Sequence, residues 1–381
     1  MNRDNVTGLI GTRRPIVAAL VDALLARQGD EVELIFAYGS YLTGTTHKYS
    51  DVDLSWTPVH DETWDAITVM VEDRLYDLYA MHWSQLESMA AFRNVSSSVL
   101  LHSRILYARD DAAAARFAAL GDRLRALLAP EARPEMVRRA SEIVRSVGWD
   151  LALLRLQAEA GHRPGALRQA LGIFRTVLHA LAVLNQALID TRKIEQVLAL
   201  PKLPVGFAEL ATRAMATTDA VEALAVTEAL LEATRALLLT EERDVLREPT
   251  TYPEAFHAAY PELKRDLQGV IQASEQEDMP ALKGSLLSLY HELSHAIARV
   301  TTGVAPSELS VLADYGADLT ALGFPPLLDL MLEQDYAKIR TQCDAYDARL
   351  RAFLTGHEVD LNAFADLDAL RAFLGSEHGQ A

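Results

Sequence analysis

The feature that most constrains this chain is a change of texture near Asp111. Before it, the segments EVELIFAY (31–38), DVDLSW (51–56), RLYDLYAM (74–81) and RILYARD (104–110) are rich in β-branched and aromatic residues and are bounded by turn formers, which predicts short strands. After it come long Ala/Leu/Arg/Glu stretches such as PEMVRRASEIVRSVGWDLALLRLQ (134–157) and GALRQALGIFRTVLHALAVLNQALI (165–189), each long enough for one packed amphipathic helix. The expected fold class is therefore α+β, a small mixed sheet followed by a large all-helical C-terminal region. A helix is expected before the first strand, in RRPIVAALVDALLARQG, which stops at Gly29, and another around Asp61 to Val71.

With 381 residues the chain has room for two or three domains. Proline-containing breaks at LALPKLPVGF and REPTTYPEAF divide the helical part, so we expect domains at 1–110, 111–248 and 249–381.

The net charge is −17, and residues 1–110 carry nine Lys and Arg against fifteen Asp and Glu, so no basic domain hides inside the average. That balance argues against duplex nucleic acid as a partner and suits a cationic one. Cys343 is the single cysteine, which rules out an internal disulfide, and the N-terminal residues include no long apolar segment. The expectation is a cytoplasmic protein without a membrane partner.

The chemistry concentrates in Phe36-Ala37-Tyr38-Gly39-Ser40 and in Asp51-Val52-Asp53-Leu54. Residues two apart on a strand share a face, so Asp51 and Asp53 point one way while Val52, Leu54 and Trp56 point to the core. Neighbouring carboxylates repel unless a cation lies between them, and hard oxygen ligands suit Mg²⁺ bound together with phosphates. Gly39-Ser40 ends the first strand where a tight turn is needed, and small residues there let backbone amides and a hydroxyl approach a phosphate. Asp77, in the middle of Leu75-Tyr76-Asp77-Leu78-Tyr79, is a third acid that needs a positive partner if buried.

These residues carry a resemblance. GSYLTGTTHKYSDVDL resembles the signature of the DNA polymerase β superfamily of nucleotidyltransferases, through Gly39, Ser40, Gly44, Ser50, Asp51, Asp53 and Leu54, and YDLYAMHWSQL resembles that family's third acidic strand. The resemblance spans roughly residues 30–110. A catalytic domain with a helical C-terminal region is similar to the antibiotic adenylyltransferases and to the smaller MNT proteins.

The resemblance implies a transferase that moves AMP, or another nucleoside monophosphate, from ATP or another nucleoside triphosphate to a hydroxyl of a small polar acceptor of the aminoglycoside kind. It implies two Mg²⁺ ions on Asp51, Asp53 and Asp77, with Asp77 also placed to take the acceptor's proton, and nucleotide contacts from Gly39, Ser40 and Ser50. It also allows a homodimer, and a protein-modifying activity of the MNT type as an alternative.

Other signals are weaker. Glu142 is a candidate base by position, and Arg168, Arg175 and His179 form a candidate polar face on one helix, opposite Leu171, Phe174 and Leu178. His291-Glu292-Leu293-Ser294-His295 is a formal HExxH, which zinc peptidases use, with Glu308 or Asp314 available as a third ligand. The stripe Leu282, Leu286, Leu289, Leu293, Ile297 and Val300 puts both histidines on the polar side of that helix.

Overall fold

The computed structural model describes residues 14–39, 42, 50–60, 66–190 and 193–375. It divides into two compact units, 1–238 and 239–381.

The first unit begins with helix α1 (Arg14–Gln28). Its Val17, Leu20, Val21 and Leu24 recur at helical spacing and are all buried. They cover one face of a five-stranded sheet made of β1 (Val32–Tyr38), β2 (Val52–Pro58), β3 (Ala66–Val71), β4 (Arg74–Ala80) and β5 (Arg104–Ala108). The order is β3-β4-β2-β1-β5, with β2 and β4 parallel and the other neighbours antiparallel. Val52, Leu54 and Trp56 of β2 and Tyr76, Leu78 and Ala80 of β4 turn to the α1 side and form the core with Ile35 and Ala37. Each of the larger side chains contributes about 1.5–3 kcal/mol of gross burial energy, which fixes which face of the sheet looks inward.

β3 corrects one expectation. Residues 66–71 form an edge strand, not part of a helix, and residues 61–65 lie outside the described residues. Ala-Ile-Thr-Val-Met-Val alternates exposed and half-buried positions, and its four β-branched residues suit a pleated surface better than a helix. Ile67, Val69 and Val71 pack against the sheet core, while Thr68 and Met70 face solvent on the other side.

Among the described residues the opposite face of the sheet is covered only in part. Helix α2 (Trp83–Ala90) is tied to β1 by Trp83 Nε1, which donates to Glu33 Oε2 at 2.7 Å. Helix α3 (Asp111–Leu128) starts at the Asp110 side chain, which accepts from the Ala113 amide, and brings Phe117 onto Phe36 with ring centroids 4.9 Å apart. The β1 side of this face is thereby closed, whereas Thr68 and Met70 of β3 stay exposed and Asp53 and Asp77 stay half-buried.

The stretch expected as one helix over 134–157 is two, α4 (Arg133–Arg145) and α5 (Gly148–Glu159). Helix α6 (Arg163–Leu184) follows, and every residue from Val177 to Leu184 is buried. Among the described residues α6 alone is long and apolar enough to cross a membrane, and its most apolar window is 56% buried inside the protein. Helices α7 (Phe207–Ala216) and α8 (Ala220–Val245) complete this part, and the division between the units falls within α8.

The second unit is built on α9 (Ala259–Glu275), α10 (Met279–Thr302) and α11 (Tyr336–Gly356). Leu263, Leu267 and Val270 of α9 meet Leu282, Leu286, Leu289 and Leu293 of α10 and Ile339, Cys343 and Leu350 of α11 in one core. Cys343 is buried, and that burial pushes its thiol pKa up to about 11, as for a packing residue and not a reactive one. Helix α10 is capped by Asp278, which accepts from the Ala281 amide, and ends at Gly303 with φ 74°.

Candidate active site

Strand register brings the acidic residues of β2 and β4 side by side. Asp53 and Asp77 are paired Cα positions of the parallel ladder, so their side chains leave the same face on strands about 4.8 Å apart. The row continues outward in both directions, because Tyr38 of β1 pairs with Asp53 and Thr68 of β3 pairs with Asp77. Thr68, Asp77, Asp53 and Tyr38 therefore cross four strands in a single line on the face away from α1.

The contacts along this row are specific. Thr68 Oγ1 donates to Asp77 Oδ1 at 2.7 Å. The Tyr38 and Tyr79 hydroxyls are hydrogen-bonded to each other, with Tyr79 two residues beyond Asp77 on the same face. Burial, followed by the Tyr79 hydrogen bond, holds the Tyr38 hydroxyl pKa far above the usual tyrosine value, so it stays protonated.

Gly39 closes the row at the end of β1. Its φ is +81°, and a Cβ built there would lie 3.4 Å from Asp53 Cγ and collide with the carboxylate oxygen. The residue is thus required both for its left-handed backbone and for the space it leaves to Asp53. The Leu42 amide donates to the Gly39 carbonyl at 3.1 Å.

The other expected residues are placed as follows. Asp51 lies half-buried, one residue before β2 and outside the paired ladder. Ser50 is buried. Ser40 and Gly44 fall outside the described residues. Among the described residues no group of three or more His, Cys, Asp and Glu stands close enough to hold a metal ion, so the structure gathers the Asp53–Asp77 pair without drawing Asp51 into a triad. Strand pairing fixes the two, while no ladder partner fixes Asp51.

Two like charges about 5 Å apart repel by on the order of 1–3 kcal/mol between bulk-water and protein-surface dielectric. A hard divalent cation offsets that repulsion, and half-exposed carboxylates beside an open face fit Mg²⁺ that arrives with phosphates. Tyr38, Tyr79 and Thr68 were not legible as site residues. Only the i, i+2 spacing of Asp77 and Tyr79 hinted at a shared face.

Residues 17–57 match the nucleotidyltransferase domain family. This N-terminal segment is thus similar to nucleotidyltransferase domains, which transfer nucleoside monophosphates from nucleoside triphosphates. The match takes in most of α1 and all but the last residue of β2, with Gly39, Asp51 and Asp53, and stops short of Asp77. The chain is also similar to a solved nucleotidyltransferase-like protein from Exiguobacterium sibiricum 255-15, at 16% identity over 69% of this chain and 92% of that one, with a TM-score of 0.33. No curated protein sequence matches the chain.

Outside the nucleotidyltransferase segment, Arg168 and Arg175 are exposed, but His179 is buried, so the three do not form one polar face, and Leu171 is exposed where a core position was expected. His179 meets the Phe92 ring edge-on at 6.0 Å and bonds the Arg93 backbone, and its burial lowers its pKa to about 4. Glu142 is exposed on α4.

In the second unit His291 and His295 lie on the polar side of α10, as the leucine stripe required. Their ring centroids are 5.8 Å apart, and His291 Nδ1 is hydrogen-bonded to the Tyr315 hydroxyl at 2.8 Å. Burial and the neighbouring His291 hold the His295 pKa below its ordinary value. Neither Glu308 nor Asp314 joins them as a third ligand, which a zinc peptidase needs. A cavity of about 290 Å³, lined in part by Tyr315, Asp314, Ser310 and Glu242, lies within this unit and contains none of the acidic strand residues.

Proposed function

We propose that this chain transfers AMP, or another nucleoside monophosphate, from a nucleoside triphosphate to a hydroxyl of a small polar acceptor. The observation that carries the reading is the Asp53–Asp77 pair, set in register beside Gly39 on the partly open face of the sheet. It is supported by the nucleotidyltransferase match over residues 17–57.

In this reading residues 1–110 are the catalytic domain, and the helical segments 111–248 and 249–381 are separate domains. Asp53 and Asp77 would hold Mg²⁺, with Asp51, one residue before β2, as the further acidic candidate. Bound there, Mg²⁺ would supply positive charge to offset that of the triphosphate. The protein's own part is to hold the carboxylates in place, to keep backbone close to the phosphates at Gly39, and to accept the acceptor's proton at the Asp77 carboxylate. The net charge of −17 favours a cationic acceptor such as an aminoglycoside through long-range attraction.

The test is a panel of hydroxylated acceptors, cationic and neutral, with ATP, GTP, CTP or UTP and Mg²⁺, scored by pyrophosphate release. Release that requires one acceptor and is lost in Asp53→Ala supports the proposal. No release above the Asp53→Ala background with any pair overturns it. A radiolabelled protein band from labelled ATP would instead point to a protein acceptor.

A further inference from the structure

The geometry points to Thr68 as a positioning residue for the cation site, an inference that rests on the reading of Asp53 and Asp77 as cation ligands. Thr68 lies opposite Asp77 in the antiparallel β3–β4 register, and its hydroxyl donates to Asp77 Oδ1 at 2.7 Å. On the other side Asp77 faces Asp53 across the parallel ladder. Asp77 is thus held between a donor and a like charge.

An aspartate side chain turns about two bonds, and beside a second carboxylate the favoured motion is away from it. The Thr68 hydrogen bond opposes that motion. It fixes Oδ1 toward β3, so the second oxygen keeps its place on the Asp53 side before any cation arrives, which lowers the cost of assembling the site. Thr68 is well suited to this, since its β-branch restricts χ1 and strand pairing sets its distance from Asp77.

A purely structural role fits less well. Thr68 is exposed on an edge strand, where the hydroxyl supports no core packing. Valine has the same shape and equal or better strand preference, so Thr68→Val removes the donor and little else. Serine keeps the donor.

The experiment measures Mn²⁺ binding to the full-length protein by the loss of the free-ion electron paramagnetic resonance signal, for wild type, T68V, T68S and D53A. A hydrogen bond to a charged group, reduced here for solvent exposure, corresponds to roughly a fivefold change in binding. The expected result is that T68V raises the Mn²⁺ dissociation constant by about fivefold with its thermal midpoint unchanged, that T68S stays within twofold of wild type, and that D53A loses the site. Wild-type binding by T68V while D53A loses the site overturns the role of Thr68 and leaves the cation site standing. Undiminished binding by D53A overturns the cation reading itself, and the role of Thr68 with it.

Discussion

Asp53 and Asp77 stand opposite each other on parallel strands that are far apart in sequence, and each is flanked on its outer side by a hydroxyl residue in the same row, Tyr38 and Thr68. A pair of half-buried acids maintained by the register of the sheet is a costly arrangement unless something positive uses it.

Removing either charge should therefore abolish the chemistry without unfolding the protein. Asp53→Asn and Asp77→Asn keep side-chain shape and remove one negative charge each. Initial rates of pyrophosphate release should fall by about two orders of magnitude or more for each. The far-ultraviolet circular dichroism and thermal midpoint should stay at or slightly above the wild-type values, since the repulsion is relieved. A rate within threefold of wild type for both would remove these residues from the mechanism.

The Gly39 position is required twice over, by its φ of +81° and by the Asp53 carboxylate that fills the place of a Cβ. Gly39→Ala should lose about 1–3 kcal/mol of stability and nearly all activity. Gly172 offers the contrast, being helical within α6 with open space where a Cβ would sit. Gly172→Ala should gain about 0.5–1 kcal/mol and leave activity unchanged. Urea titrations of the two variants, compared with wild type, test both signs.

His179 sets a pH dependence. Its pKa is lowered from the ordinary 6.5 to about 4 by burial, so between those values the unfolded chain binds a proton that the folded protein does not. Stability linked to this residue is fully present above pH 6.5, declines as the pH falls, and is gone below about 4, a loss of at most about 3 kcal/mol. The difference in stability between wild type and His179→Leu, followed by urea unfolding from pH 7 to pH 4, should shrink over that window. A difference that does not vary with pH would contradict the assignment.

The HExxH segment predicts a negative result that is easy to obtain. His291 is engaged by Tyr315, and among the described residues no third ligand joins His295, so His291→Ala should leave nucleotidyl transfer unchanged. Wild-type protein purified without chelator should carry well under one zinc per chain, and metal analysis near one per chain would revive the peptidase alternative.

Much of this molecule was legible before the fold was known. Val52, Leu54 and Trp56 alternating with Asp53 gave the strand and its inward face, and the leucine stripe of α10 gave its buried side, because both follow from backbone periodicity that any continuous core must respect. The Gly39 turn was legible for the same local reason.

What the tertiary structure alone decided depends on partners distant in sequence. Residues 66–71 read as helix but join the sheet because β4 supplies their hydrogen bonds, and only that pairing sets Thr68 beside Asp77. His179 read as polar surface, yet the helix turns that hold it are enclosed on every side. The pairing of Asp53 with Asp77 rests on strand register, which is set by the summed packing of both strands against α1 and their neighbours, and no short stretch of sequence encodes that sum.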